Sequence, residues 1–197
     1  MSARPRGASL RQAQWQPHVL ALNAPPGYAR WLTEDGSLTA RLKAHSDSFR
    51  VQCLHQRTAI CLSDEAAAIG MHRPGRVWER EVLLRCDNTP AVFAHTVLPM
   101  AASAADWPLF SALGERSLGS TLFGDPLVRR GVLEFARLRE GHPLARRARA
   151  ALGASAPDEH ILYARRCLYQ RRQGTLLVTE VFLPAVLELI KTSIKPR

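Results

Sequence analysis

The chain has little lysine, no paired cysteine motif and no long apolar run. Lysine occurs at three positions, so nearly all of the 27 basic residues are arginine. None of the four cysteines has CxxC spacing, which leaves a zinc or thioredoxin-like site unsupported. No apolar run approaches the about twenty residues of a membrane-spanning helix, and no secretory apolar segment follows the start. We therefore expect a cytoplasmic protein with reduced cysteines and no stable membrane insertion.

The motifs of several large enzyme classes are also absent. The sequence contains no GxGxxG, P-loop, HExxH or GxSxG pattern, and its seven histidines show no ligand spacing. The sequence predicts neither a metal site nor a cofactor. If the protein is an enzyme, the sequence therefore favours a reaction that depends on substrate binding and electrostatic stabilisation.

What the chain has in excess is positive charge. The formal net charge is +10, and arginine binds planar carboxylates and phosphates in a forked geometry. This balance predicts an anionic partner, which by charge alone can be a small anion, a nucleic acid or a membrane surface. The arginine clusters have neither a helix-turn-helix signal nor interleaved aromatic residues, so nucleic acid is disfavoured.

Alternating and apolar segments predict about six strands, at 49–55, 77–86, 91–98, 127–138, 160–170 and 175–183. Short turns at 87–90 and 171–174 join four of them into two hairpins, which implies an antiparallel sheet. Helices are predicted at 28–33, 37–45, 104–113, 118–123 and 185–192. The predicted class is α+β, a single antiparallel sheet with helices that cover one of its faces.

The remaining segments predict the domain organisation. Residues 1–18 form a flexible basic N-terminal arm, and residues 19–197 form one domain. The stretch 58–76 is expected to be mostly loop. The Arg-rich stretch 139–157 is either a mobile connector or a short basic helix.

Two charged residues stand out because they lie on apolar strand faces. Alternation places Arg80 on one face with Val82 and Leu84, and Glu180 on one face with Val178. A charge on a buried face is costly unless it is paired or binds a ligand. Two interpretations stay open: a structural ion pair between Arg80 and Glu180, or a pocket with a carboxylate-binding arginine and an acid at opposite ends.

Several segments together resemble the chorismate pyruvate-lyase family, from about residue 31 to residue 183. The strongest are WEREVLLRC at 78–86, LGERSLGSTLF at 113–123 and LVTEVFLP at 177–184. Weaker ones are EDGSLT at 34–39 and TVLP at 96–99. The order and spacing of these segments carry the resemblance, rather than any single motif.

The resemblance implies an internal ligand site covered by helices, and a lyase that converts chorismate to 4-hydroxybenzoate and pyruvate without a cofactor, the first step of ubiquinone biosynthesis. It implies that Arg80 binds the ring carboxylate and that Glu180 acts at the ring hydroxyl. Leu38 and Leu118 match positions whose backbone contacts the ligand. Substrate and product are then the expected partners, and the expected state is a monomer.

One departure and one alternative accompany the resemblance. His95 stands where the family pattern predicts arginine, which bears on binding of a second carboxylate. The alternative is a non-catalytic effector-binding domain of the same fold, as found in bacterial transcription regulators. Such domains follow a winged-helix domain, for which the first 30 residues are too short.

Overall fold

The computed structural model describes residues 12–102, 105–108, 110–153, 156 and 159–192. Six strands form one antiparallel sheet in the order β1-β2-β3-β6-β5-β4, which confirms the predicted α+β class. The strands are β1 Phe49–Ile60, β2 Arg76–Cys86, β3 Thr89–Pro99, β4 Val128–Arg139, β5 Ile161–Arg171 and β6 Gly174–Phe182.

Within the described residues, six α-helices and one 3₁₀ turn, Val19–Leu22, accompany the sheet. The helices are α1 Pro26–Leu32, α2 Leu38–Ala44, α3 Ser63–Ala68, α4 Leu118–Gly124, α5 Pro143–Leu152 and α6 Val186–Thr192. None of the helices in the described part of the chain is long and apolar enough to cross a membrane.

The turns follow from residue types that tolerate left-handed backbone. Asp87 and Asn88 both have positive φ, which suits the two-residue turn between β2 and β3. Ser37 begins α2 by accepting a hydrogen bond from the backbone N–H of Ala40, as expected for an N-cap.

Helices pack on both faces of the sheet, whereas the sequence predicted that they cover one face. Trp31 and Leu42, from α1 and α2, pack with Val82 and Leu84 on one face. On the other face, α5 packs against residues of the opposite parity, which include Leu83, Phe93, Leu138 and Val181. The strands β2, β3, β5 and β6 are therefore apolar on both sides over part of their length, and polar side chains inside either layer need partners.

Two segments differ from the sequence prediction, and for a third the structure decides between two predicted alternatives. The stretch 58–76 is not mostly loop, because β1 continues to Ile60 and α3 follows; a six-residue helix is too short to show a helical period. Residues 105–108 and 110–113 form turns rather than the predicted helix, although Trp107, Phe110 and Leu113 are buried. The stretch 139–157 contains α5, so of the two alternatives the helix is correct for 143–152.

The end of the predicted N-terminal arm contacts the sheet. The backbone of Gln16 exchanges two 2.8 Å hydrogen bonds with that of Phe135 on β4, and the guanidinium of Arg166 lies 4.4 Å from the Trp15 ring centre. Residues 1–11 of the arm lie outside the described residues. The boundary at residue 18 stays a prediction.

Candidate active site

One pocket lies between the sheet and the helices α2 and α4. About 640 Å³ of it is not filled by protein atoms, and part of this space is open to solvent. Apolar side chains form most of its wall, among them Val51, Val82, Leu84, Leu122, Leu133 and Val178. The space suits a small molecule, and the few charged groups that line it decide which kind.

All four site residues predicted from the sequence line this pocket: Leu38, Arg80, Leu118 and Glu180. Arg80 lies on β2 and Glu180 on β6, with β3 between them. Two strand spacings of about 4.8 Å separate their backbones sideways by roughly 10 Å. A buried arginine and a glutamate therefore line one cavity from two different strands.

Arg80 is a buried cation without a carboxylate partner in the described part of the chain. Its side chain is 2% exposed, and its Nη2 donates to the carbonyl oxygens of Gly114 at 2.9 Å and Arg116 at 3.0 Å. Its Nε is buried with no hydrogen-bond partner. Burial lowers the pKa of Arg80 from its ordinary value, but arginine starts so high that it stays charged. Arg80 thus carries a positive charge that no carboxylate among the described residues neutralises.

Glu180 pairs with Arg165, a residue that the sequence analysis missed. The Arg165 Nε lies 2.5 Å from the Glu180 Oε2, whereas none of the ion pairs among the described residues joins Arg80 to Glu180. The interpretation of a structural Arg80–Glu180 pair is therefore wrong. Arg165 is 2% exposed, and its Nη1 also donates to the carbonyl oxygens of Leu32 and Glu34.

Leu38 and Leu118 belong to the two short helices that cover the pocket. Leu38 begins α2 and Leu118 begins α4. The hydroxyl oxygens of Thr39 and Ser117 lie 2.6 Å apart, in a hydrogen bond that joins the two covering elements. Both predicted leucines thus lie where a bound ligand would meet the cover.

Arg130 on β4 is the second pocket residue that the sequence analysis missed. Among the described residues that line the pocket, Arg130, Arg80 and Arg165 are the three arginines and Glu180 is the one acidic residue. Three positive charges and one negative charge leave a net charge of two positive on the pocket wall. A small molecule with two negative charges is complementary to it.

His95 lies on the opposite face of the sheet, because its neighbours Ala94 and Thr96 line the pocket and strand residues alternate. It is buried between Glu65 at 2.9 Å and Glu81 at 3.1 Å. Burial alone would lower its pKa, but these two carboxylates raise the pKa of His95 to about 10. The departure at position 95 therefore does not remove a cation from the pocket.

A group of possible metal ligands lies beside His95, on the face of the sheet opposite the pocket. One ligand atom from each of His55, Glu79 and Glu81 lies within 4.8 Å of the others. Arg147 is already there, with its Nη1 2.7 Å from an oxygen of each glutamate. The guanidinium supplies the positive charge that a metal ion would otherwise supply, so the arrangement fits an ion-pair network better than a metal site.

Comparison with known proteins identifies the family. A family model described as chorismate lyase matches residues 9–191. The chain belongs to the chorismate lyase family. A probable chorismate pyruvate-lyase of Ralstonia nicotianae is 50% identical over 160 residues, covering 81% of this chain and 82% of that protein. One of Aromatoleum aromaticum is 42% identical over 191 residues, covering 96% and 99%.

The fold of this chorismate lyase family member is shared with regulatory domains. The effector domain of PhnF from Mycobacterium smegmatis superimposes with a TM-score of 0.54 at 20% identity, covering 76% of this chain and 90% of that domain. At this identity the likeness shows the fold alone.

Proposed function

We propose that the protein is a chorismate pyruvate-lyase, which eliminates pyruvate from chorismate to give 4-hydroxybenzoate, the first step of ubiquinone biosynthesis. Family membership supports this activity. The observation on the structure that carries it is the pocket wall with a net charge of two positive, since chorismate is a dicarboxylate. Charge complementarity of this kind favours binding of the dianion and suppresses neutral competitors.

The reaction depends on positioning of the substrate more than on a cofactor or a nucleophile. A proton leaves the ring carbon that carries the hydroxyl, the ether bond at the neighbouring carbon breaks, and the ring becomes aromatic. The enolpyruvate that departs takes up a proton and becomes pyruvate. Aromatisation supplies the driving force, so fixed charges and orientation account for what the protein adds.

In this proposal Arg80 and Glu180 act at opposite ends of the ring. Arg80 binds the ring carboxylate, because its guanidinium is buried and contacts only carbonyl oxygens. Glu180 contacts the ring hydroxyl and its carbon, where the proton is lost. Arg165 holds the Glu180 carboxylate in place. The backbones of Leu38 and Leu118 complete the contact from the cover.

The same proposal covers the oligomeric state, the location, the partners and the cofactor requirement of the enzyme. We propose a monomer in the cytoplasm whose partners are its substrate and product. It acts without a cofactor, because proton loss and carbon–oxygen cleavage need no electron carrier. Nucleic acid and membrane insertion have no part in it.

The test is to incubate the purified protein with chorismate and to follow 4-hydroxybenzoate and pyruvate. Both should appear in equal amounts, and a chelator should leave the rate unchanged. Loss of activity in chelator, restored by a divalent metal, would contradict the cofactor-free reaction.

The alternative is an effector-binding domain, which the fold of the PhnF domain favours. It predicts tight binding of chorismate or 4-hydroxybenzoate without any turnover. The turnover assay therefore decides between the two functions.

A further inference from the structure

We propose that Arg130 binds the second carboxylate of the substrate, the one on the enolpyruvyl side chain, and so distinguishes substrate from product. This inference rests on the proposed function. The substrate carries two carboxylates, and the product 4-hydroxybenzoate keeps only the ring carboxylate. A cation that serves the second carboxylate should therefore matter for substrate alone.

Arg130 faces the pocket because β4 is irregular there. Arg130 pairs with Tyr169 and Leu133 pairs with Cys167, so β4 advances three residues while β5 advances two. One extra residue in β4 changes which face the following side chains occupy. As a result Arg130 and Leu133, three residues apart, both line the pocket, which strict alternation would forbid.

Gly131 makes this irregularity possible. A Cβ at this position would lie 2.8 Å from the backbone carbonyl oxygen of Leu168, closer than real Cβ contacts allow. Only glycine fits there without a backbone shift. The local sequence Arg130-Gly131 is thus built so that a cation on β4 reaches the ligand side of the sheet.

The positive charge of Arg130 is not neutralised by an ion pair within the described part of the chain. None of the ion pairs among the described residues includes Arg130, and its Nε is buried with no hydrogen-bond partner. Its Nη1 donates to the backbone carbonyl oxygen of Asp35, and its guanidinium lies 5.7 Å from the ring centre of Phe123. The side chains of Cys167 and Tyr169 also interact with it, and burial raises the pKa of both groups, so these partners are uncharged near neutral pH. These contacts fix the side chain and leave its positive charge available to a ligand.

The other two pocket arginines already have roles. Arg165 is paired with Glu180 at 2.5 Å, and Arg80 is assigned to the ring carboxylate. Arg80 lies on β2 and Arg130 on the edge strand β4, so the two free cations approach the cavity from opposite sides. Each carboxylate of the substrate then has one arginine of its own, and Arg130 is the one left for the enolpyruvyl group.

The test compares two substitutions in adjacent residues, Arg130→Gln and Arg129→Gln. Both remove one positive charge from β4, but Arg129 is exposed and outside the pocket lining. Three quantities are measured for each variant: kcat/KM for chorismate, Kd for 4-hydroxybenzoate, and the midpoint of thermal unfolding. Arg130→Lys serves as a second variant, because it keeps the charge and loses the fork.

We expect Arg130→Gln to lower kcat/KM for chorismate roughly 30-fold or more, the usual range for a buried charged contact, while Kd for 4-hydroxybenzoate changes less than about 3-fold. Arg130→Lys should fall between wild type and Arg130→Gln. Arg129→Gln should match wild type in both quantities.

Equal weakening of substrate and product in a folded Arg130→Gln or Arg130→Lys variant would overturn the proposal, because Arg130 would then support the pocket as a whole. Unchanged kcat/KM in both would also overturn it. Either result leaves the proposed function standing as long as the wild type turns over chorismate. Absence of turnover in the wild type would instead remove the proposed function itself.

Discussion

The Nε of Arg165 on β5 lies 2.5 Å from the Oε2 of Glu180 on β6, in the wall of the pocket. The Nη1 of the same guanidinium donates to the carbonyl oxygens of Leu32 and Glu34, in the segment that leads from α1 to α2. One side chain therefore fixes the position of the acid and the entry into a helix that covers it.

Arg165→Gln should lower both stability and turnover, whereas Arg166→Gln should lower stability alone. Breaking a largely buried pair costs about 2–4 kcal/mol in the free energy of unfolding, and Glu180 would lose its fixed orientation. Arg166 is also buried and pairs with Glu134, but it does not line the pocket. Denaturant unfolding and kcat measure the two effects. Full kcat in Arg165→Gln would show that Arg165 does not position Glu180.

Glu180→Gln should lose turnover almost as severely as Glu180→Ala, by roughly 10²–10⁴-fold in kcat. Glutamine keeps the shape and the capacity for hydrogen bonds but cannot ionise, so the comparison isolates the charge. Single-turnover measurement of 4-hydroxybenzoate formation would report it. High activity in Glu180→Gln together with its loss in Glu180→Ala would mean that the side chain only orients the ring hydroxyl.

Arg80→Met should abolish productive binding without unfolding the protein. Its charge has no carboxylate partner in the described part of the chain, so an apolar side chain of similar length should change stability by only about 1 kcal/mol. Loss of the contact to substrate should cost about 2–5 kcal/mol, or roughly 30- to 5,000-fold in kcat/KM. Arg80→Lys should recover part of this loss. Unchanged kcat/KM in a folded Arg80→Met variant would remove Arg80 from the site.

Stability should fall at alkaline pH because of His95. The pKa of His95 is about 10 in the folded state, against 6.5 for an unperturbed histidine, so between these pH values the folded state holds a proton that the unfolded state releases. Its contribution is complete below pH 6.5 and is lost as pH rises through about 10, with a slope of at most about 1.4 kcal/mol per pH unit.

The matched comparison for this titration is His95→Gln, studied by denaturant unfolding from pH 6 to pH 10. The variant should be less stable than wild type near neutrality, and the difference should shrink as pH rises. A difference that stays constant over this range would show that His95 is not protonated in the folded state.

The site could be predicted in part from the sequence, and the missing part has identifiable causes. Arg80 and Glu180 were visible because a charge on an apolar strand face is unusual. Arg165 could have been found as well: counting back equally along both strands from the hairpin turn pairs Arg165 with Glu180. Arg130 could not be placed by counting, because the irregularity next to Gly131 changes the face of the strand.

The fold was predictable where elements are long and connections are short. The two short hairpin turns determine the antiparallel pairing. In α5, by contrast, the many arginines suit both an exposed helix and a loop, so the sequence did not decide between the two. The segment around Trp107 and Phe110 was misjudged because its aromatic residues are buried by contact with the sheet rather than through helical periodicity. For position 95, the family pattern suggested a role in binding a second carboxylate. Alternation along β3 instead places His95 on the face of the sheet opposite the pocket.

The extra residue in β4 has a consequence for how copies of the chain meet. β4 is an edge strand, and a long flat edge invites pairing with the edge of another molecule. Here the irregularity near Gly131 interrupts the regular pairing of β4 with β5 and so the straight course of β4. Gln16 already forms hydrogen bonds with both backbone groups of Phe135. The feature that directs Arg130 toward the ligand thus also leaves little continuous edge on β4 for association with another copy, which supports the proposed monomer at this edge of the sheet.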